Sequence, residues 1–304
     1  MRAALFALLS SILLTCLPAS AQERATLGVG RLFTNDQIGD GQDRWRTGSY
    51  ALSWMRGTEG TTGLPANPGE VIEYRFAHRI LAPADLTTPA PGDRRYAGSA
   101  SIGAFTHFSR DGVDFSLGGE LVAVGPMTGS DAFQDAVHGA FGLPGPSAAV
   151  RAAQIPNAVY PTLSLEASRP MVLGGGLVLR PFVQARAGDE TYARAGIDLM
   201  FGENFSRGIT VRDETTGFLY QTLEDAPGKG LSFIAGYDAA KVFSSAWLPE
   251  PAYGLTPLRH RLRAGAHWQG ERIGVFYGVA WLGPEFTAQP TDQVVGAVQL
   301  QMRF

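Results

Sequence analysis

The chain has 304 residues, 45% of them hydrophobic, a mean hydropathy near zero and a formal charge of −3. So small a charge gives no case for a nucleic-acid partner. After residue 21 there is no run of about 18 apolar residues, which excludes a membrane-spanning helix in the remainder.

In chain order, Met1-Arg2 precedes an apolar run from Ala3 to Leu17, and Ala19-Ser20-Ala21 gives a small-x-small cleavage site. This reads as a secretory signal peptide over residues 1–21, with a mature chain from Gln22 to Phe304. The only cysteine, Cys16, falls in the discarded part. A lipoprotein reading of Leu14-Thr15-Cys16 is weaker, because Thr15 is a poor residue before a lipidated cysteine. A mature chain without cysteine has no disulfide and no thiolate chemistry.

About twelve strand candidates follow, each near the ~9–11 residues that a tilted membrane strand needs. They are expected at 24–34, 47–56, 70–80, 97–108, 113–124, 158–168, 171–186, 189–201, 230–242, 259–268, 272–284 and 294–304. The last alternates cleanly: Val294, Gly296, Val298, Leu300, Met302 and Phe304 share one face, and Val295, Ala297, Gln299, Gln301 and Arg303 the other. Period-two alternation marks strands with two different surroundings. Lipid on one face and water on the other also explains a hydropathy that averages to zero. Aromatics recur near strand ends, as at Trp54, Tyr74, Tyr96, Phe105, Tyr160, Trp268 and Trp281, where interfacial girdles form. Evenly spaced arginines, such as Arg75 and Arg79 or Arg259, Arg261 and Arg263, point to the lumen, as do Glu120 and Glu166. Facing lipid near the midplane would cost each arginine roughly 2–4 kcal/mol.

The expected fold is therefore all-β: a transmembrane, antiparallel, up-and-down barrel of about twelve strands in a bacterial outer membrane. Tight turns at Asp111-Gly112, Ser168-Arg169-Pro170 and Gly270-Glu271 fall on the periplasmic side by parity. Long segments at 35–46, 81–96, 125–157, 243–258 and 285–293 fall outside. Residues 202–229 break the pattern: they should be periplasmic but are long, with a short helix or strand extension expected around Gly217–Thr222. The 57–69 turn is also long.

Three outer segments carry candidate chemistry. In 124–139, Ser130 or Asp131 could cap a short helix in the extracellular loop. Phe133, Val137 and Phe141 would then share one face, and Gln134 and His138, four apart, another. A histidine there could serve as a general base near neutral pH, or merely plug the mouth. Asn35-Asp36 and Asp43-Arg44-Trp45-Arg46-Thr47-Gly48 supply oxygens that suit a hard cation such as Ca²⁺, although Asn-Asp in a loop is equally ordinary turn chemistry. His78, His107, His260 and His267 fall within strands and read as wall or lumen packing. No serine stands out beside His138; Ser130 and Ser147 are merely nearby.

Together the segments resemble the outer-membrane lipid A 3'-O-deacylase family. The resemblance rests on Gly30-Arg31-Leu32-Phe33-Thr34-Asn35-Asp36, Asp43-Arg44-Trp45-Arg46-Thr47-Gly48, Asp93-Arg94-Arg95-Tyr96-Ala97-Gly98, Gly125-Pro126 with Gln134 and His138, and Gln154-Ile155. It implies a twelve-stranded barrel that removes the 3'-linked acyloxyacyl chain of lipid A in the outer leaflet, with calcium. It implies His138 as the general base, with Asn35, Asp36 and Thr47 completing the catalytic group. Asp36 and Asn35 would hold Ca²⁺, and Gln134, Arg94 and Arg46 would bind substrate. Two positions depart from the pattern. The family's lysine after strand 3 has no counterpart in 81–92, where Arg94 is the nearest substitute, and Arg46 stands where a tyrosine is usual. Lipopolysaccharide is thus the expected partner of a monomer. An outer-membrane phospholipase and a non-catalytic barrel, degenerate or a small pore, remain as alternatives.

Overall fold

The computed structural model describes residues 24–205, 208–223 and 228–302. The signal segment 1–21, Cys16 and the terminal Phe304 lie outside the described residues.

Twelve antiparallel strands close one wall. They are β1 (Ala25–Asn35), β2 (Trp45–Gly57), β3 (Val71–Ala82), β4 (Ala97–Arg110), β5 (Val113–Val124), β6 (Ala158–Ser168), β8 (Leu177–Ala187), β9 (Glu190–Phe201), β12 (Gly230–Ser245), β13 (Arg259–Gln269), β14 (Ile273–Leu282) and β15 (Gln293–Met302). Neighbours in sequence pair throughout, and β1 with β15 completes the circle. The alternation works as expected: β2 buries Ser49, Ala51, Ser53 and Met55, while Trp54 on the other parity is exposed. Ile102, Leu121, Leu163, Val183, Leu262 and Leu300 are likewise exposed. An apolar surface of this extent suits lipid, not water.

Two expectations are corrected. The strand expected over 171–186 is two strands, the short β7 (Met171–Gly174) and β8. The turn lies at Gly174-Gly175-Gly176, all with positive φ, and not at Ser168-Arg169-Pro170. Arg169 N–H donates to Pro181 O at 3.0 Å, so β6 and β7 follow one another along the same side of β8. Only glycine accepts three successive left-handed residues without strain.

The second correction concerns 202–229. Its described residues form a hairpin, β10 (Thr210–Arg212) with β11 (Leu219–Gln221), inside the lumen. Its contacts come from all round the wall. Tyr220 OH meets Ser53 Oγ of β2 at 2.6 Å, and Glu214 takes Arg79 of β3 and Arg186 of β8. Arg212 meets Glu166 of β6, and Phe218 packs edge-on against Phe276 of β14. Gln299 of β15 donates to Gln221 O at 2.8 Å. The evenly spaced arginines face the lumen, as expected of residues that lipid would reject, and Arg75, Arg79 and Arg261 reach the plug at Glu214. Asp238 alone receives Arg194, Arg261 and Arg263. Buried pairs of this kind stabilise little on balance, yet removing one member leaves uncompensated charge.

Candidate active site

Beyond β5 a 3₁₀ turn (Pro126–Thr128) leads into α1 (Ser130–Phe141), and α2 (Ala148–Ala152) follows. Helix α1 lies on the outside of the barrel against its upper wall. Its fit depends on Gly98 of β4: a Cβ there would stand 2.1 Å from Ser130 Oγ and 2.2 Å from Thr128 Oγ1. The expected cap is not made. Gly129 is the N-cap and gives no side-chain bond, because Ser130 Oγ turns to the wall and Asp131 accepts from Gln154 Nε2 at 3.0 Å.

The helix is amphipathic in reverse. Ser130, Gln134 and His138 are the buried positions, whereas Phe133 and Phe141 are 59% and 77% exposed. A helix in water buries its apolar stripe. Here the outward solvent is lipid, so the polar stripe turns to the protein.

Between α1 and the outward faces of β1–β3 lies a cleft of about 410 Å³. Phe33, Tyr50, Ile80, Phe133 and Val137 make it mainly apolar, and Asn35, Thr47, His78, Gln134 and His138 give it polar groups. A bulge of β2 between Arg46 and Gly48 lets the Thr47 side chain reach it. His138 Nδ1 lies 2.7 Å from Pro144 O. A carbonyl only accepts, so Nδ1 carries hydrogen and Nε2 is the working nitrogen. Nε2 faces Asp43 Oδ2 at 3.2 Å and Gln134 Nε2 at 3.4 Å. Gln134 donates to both Asp43 oxygens, and the Thr47 hydroxyl lies between Asp43 and Asp36.

Asp36 is fully buried and accepts from Arg44 N–H at 2.7 Å and Gln293 Nε2 at 3.3 Å. Burial pushes its carboxyl up to about 8 against the pull of the Arg44 amide, and the Asp43 and Asp40 charges add to the rise. Asn35 Oδ1 accepts from Gln37 N–H at 2.8 Å, which leaves the Asn35 amide hydrogens for the cleft.

The structure therefore brings together Asn35, Asp36, Thr47, Gln134 and His138. It does not bring Arg46 and Arg94 into the cleft. Arg46 Nη2 and Arg94 Nη1 grip Glu285 at 2.6 and 2.7 Å, beside the Arg259–Glu190 pair, as a buried ion cluster. Two groups were not read from sequence as site residues, the Pro144 carbonyl and His78, and Asp43, read there only as a source of oxygens for a cation, stands beside His138. His78 shares its parity on β3 with the exposed Tyr74 and Phe76, so period-two counting already places it outside. It is the basic residue that β3 brings to the cleft. The packing reading suits the other strand histidines: His107 meets Glu73 at 2.7 Å, His260 stacks on Tyr237, and His267 lies near Phe205.

The family model described as outer membrane protein LpxR matches residues 6–304. The chain belongs to the LpxR family. LpxR from Salmonella typhimurium superposes with a TM-score of 0.73 at 17% identity, over 91% of this chain and 100% of that one. The likeness establishes a shared membrane-barrel fold. The β domain of the Bordetella autotransporter BrkA (TM-score 0.42, 12% identity, 91% and 99% covered) and the KdgM porin (0.39, 8%, 91% and 98%) are more distant. None of the curated proteins matches. Membership in the LpxR family makes the chain an outer-membrane barrel of a lipid A-modifying family.

Proposed function

We propose that this chain is an esterase that removes the 3'-linked acyloxyacyl chain of lipid A, using water activated by His138. The observation that carries the reading is the His138 constellation within a cleft that opens to the lipid side of the wall. An acyl chain lies along Phe33, Phe133 and Val137 while its ester reaches Nε2. His138 Nε2 takes a proton from water as the water oxygen bonds to the ester carbon. Asp43 holds the imidazolium so formed, and Gln134 and Thr47 fix Asp43. Asn35 offers its amide hydrogens to the carbonyl oxygen as that oxygen gains charge. The carbon–oxygen bond to the sugar then breaks, and the sugar oxygen recovers the proton.

Calcium fits Asp36 by chemistry. Among the described residues no Arg or Lys side chain pairs with Asp36 or Asp43, and the elevated Asp36 carboxyl marks a place short of positive charge. Among the described residues no group of three or more His, Cys, Asp or Glu is arranged for a metal, so protein would supply only part of the shell. Asp36 would give the charge; Asn35 Oδ1 would join only by giving up Gln37. A bound Ca²⁺ would lend positive charge to the oxyanion side of the cleft.

One test of the cation site is calorimetric. With its carboxyl near 8, Asp36 is mostly protonated at pH 7, so Ca²⁺ binding there releases roughly one proton. Binding enthalpies in buffers of different ionisation enthalpy should differ accordingly, and the difference should vanish in Asp36→Asn; a difference that persists in that variant would place the cation elsewhere. The function itself is tested by mass spectrometry of lipid A from cells that express the chain. The expected result is loss of the 3' acyloxyacyl mass with the phospholipid profile intact. Unchanged lipid A beside lysophospholipid would point to a phospholipase, and no change in either, with the barrel inserted, to a non-catalytic member.

A further inference from the structure

The mechanism leaves one imidazole of the cleft unused. His78 lines it from β3, with the Phe133 ring edge-on at 6.2 Å between centroids. Its Nε2 lies 2.9 Å from Ser130 Oγ, Ser130 Oγ lies 2.8 Å from Thr128 Oγ1, and Thr128 Oγ1 lies 2.8 Å from Gly125 O.

The protons in this chain can be counted. Gly125 O only accepts, so the single hydroxyl proton of Thr128 goes to it. Thr128 must then accept from Ser130, whose own proton is thereby spent. Ser130 in turn accepts from His78, so Nε2 carries hydrogen. Ser130 is 1% exposed and presses on Gly98, which leaves the chain no slack. Among the described residues no carboxylate pairs with His78 to hold a second proton on the ring, and with hydrogen on Nε2 the bare nitrogen is Nδ1. Nδ1 has no partner among them either.

The two imidazoles of the cleft are thus held in opposite senses. His138 is anchored at Nδ1 and works at Nε2; His78 is anchored at Nε2 and presents Nδ1. We infer that His78 Nδ1 accepts a hydrogen bond from an N–H or O–H of the bound lipid beside the scissile ester. It thereby selects lipids whose ester oxygen neighbours an amide or hydroxyl on the same sugar. A diacylglycerophospholipid has no such donor beside its esters, and would leave the acceptor desolvated and unpaired. The inference rests on the esterase reading above and names the feature by which that site recognises its substrate.

Two variants separate recognition from support. A glutamine amide reaches the place of Nε2, and an asparagine amide the place of Nδ1. His78→Gln therefore keeps the Ser130 contact and loses the acceptor, whereas His78→Asn does the reverse. The full-length protein in detergent is assayed on two synthetic glucosamine ester lipids that differ only in an amide N–H or an oxygen beside the ester. The wild type should prefer the amide lipid by roughly tenfold to a hundredfold. His78→Gln should bring that ratio close to one, and His78→Asn should keep most of it. An undiminished ratio in His78→Gln, or an equal loss in both variants, overturns the inference. The same two lipids are also bound to His138→Ala protein with and without His78→Gln. If neither lipid is hydrolysed the esterase reading falls alone, and the ratio of affinities still decides for or against His78.

Discussion

His138→Ala should lower deacylation about 10²–10⁴-fold and leave the barrel folded. The loss is large because no other group in the cleft duplicates the His138 constellation: one ring nitrogen fixed by Pro144 O, the other beside Asp43. The barrel survives because His138 sits on α1, outside the strand ladders. Lipid A from cells with either form is compared by mass, and folding is read from heat-dependent migration in gels. Full activity in the variant would remove His138 from the mechanism, whatever the fate of the calcium proposal.

Asp238→Ala should destabilise the barrel by about 3–5 kcal/mol, because one carboxylate serves three arginines. Arg263 meets Asp238 at 2.5 Å and is completely buried. Arg261 meets it at 2.9 Å and also donates to the backbone of the plug at Glu214 O, 2.7 Å. Arg194 is the third. Without Asp238, Arg263 keeps Asp198, but Arg194 and Arg261 lose their carboxylate, and the plug loses a well-placed donor. Urea unfolding in lipid vesicles, followed by tryptophan fluorescence, measures the change. A loss under about 1 kcal/mol would mean that water enters and solvates the freed guanidinium groups.

The wall was legible because period two is imposed by two solvents: β5 and β6 fall where the alternation puts them. What failed were places where a local signal was outvoted. Arg169-Pro170 has turn composition, yet Arg169 N–H finds Pro181 O and the strand edge continues to the three glycines. The plug announced itself as a loop of the wrong length with a short helix or strand extension expected around Gly217–Thr222, where β11 lies, but not as a hairpin inside the lumen. Its meaning lies in partners such as Ser53, Arg79 and Gln299, scattered through the sequence. In the site, Asn35, Asp36, Thr47, Gln134 and His138 were legible as a group, through order and sidedness. Arg46 was misread because it shares the outward parity of Tyr50 and Trp54, and the bulge beside Thr47 turns it inward to Glu285. His78 carried a usable signal, a polar residue on the parity of Tyr74 and Phe76, that a packing reading passed over.

The filled lumen has a consequence for the cell. Transport barrels must leave a hole, so each copy weakens the permeability barrier that the outer membrane exists to provide. Here the cross-section is spanned by ion pairs from the wall to the β10–β11 plug, and the cleft is on the perimeter. Each copy therefore adds to the membrane a wall whose interior is crossed by charged side chains and a hairpin, with its cleft turned to the lipid.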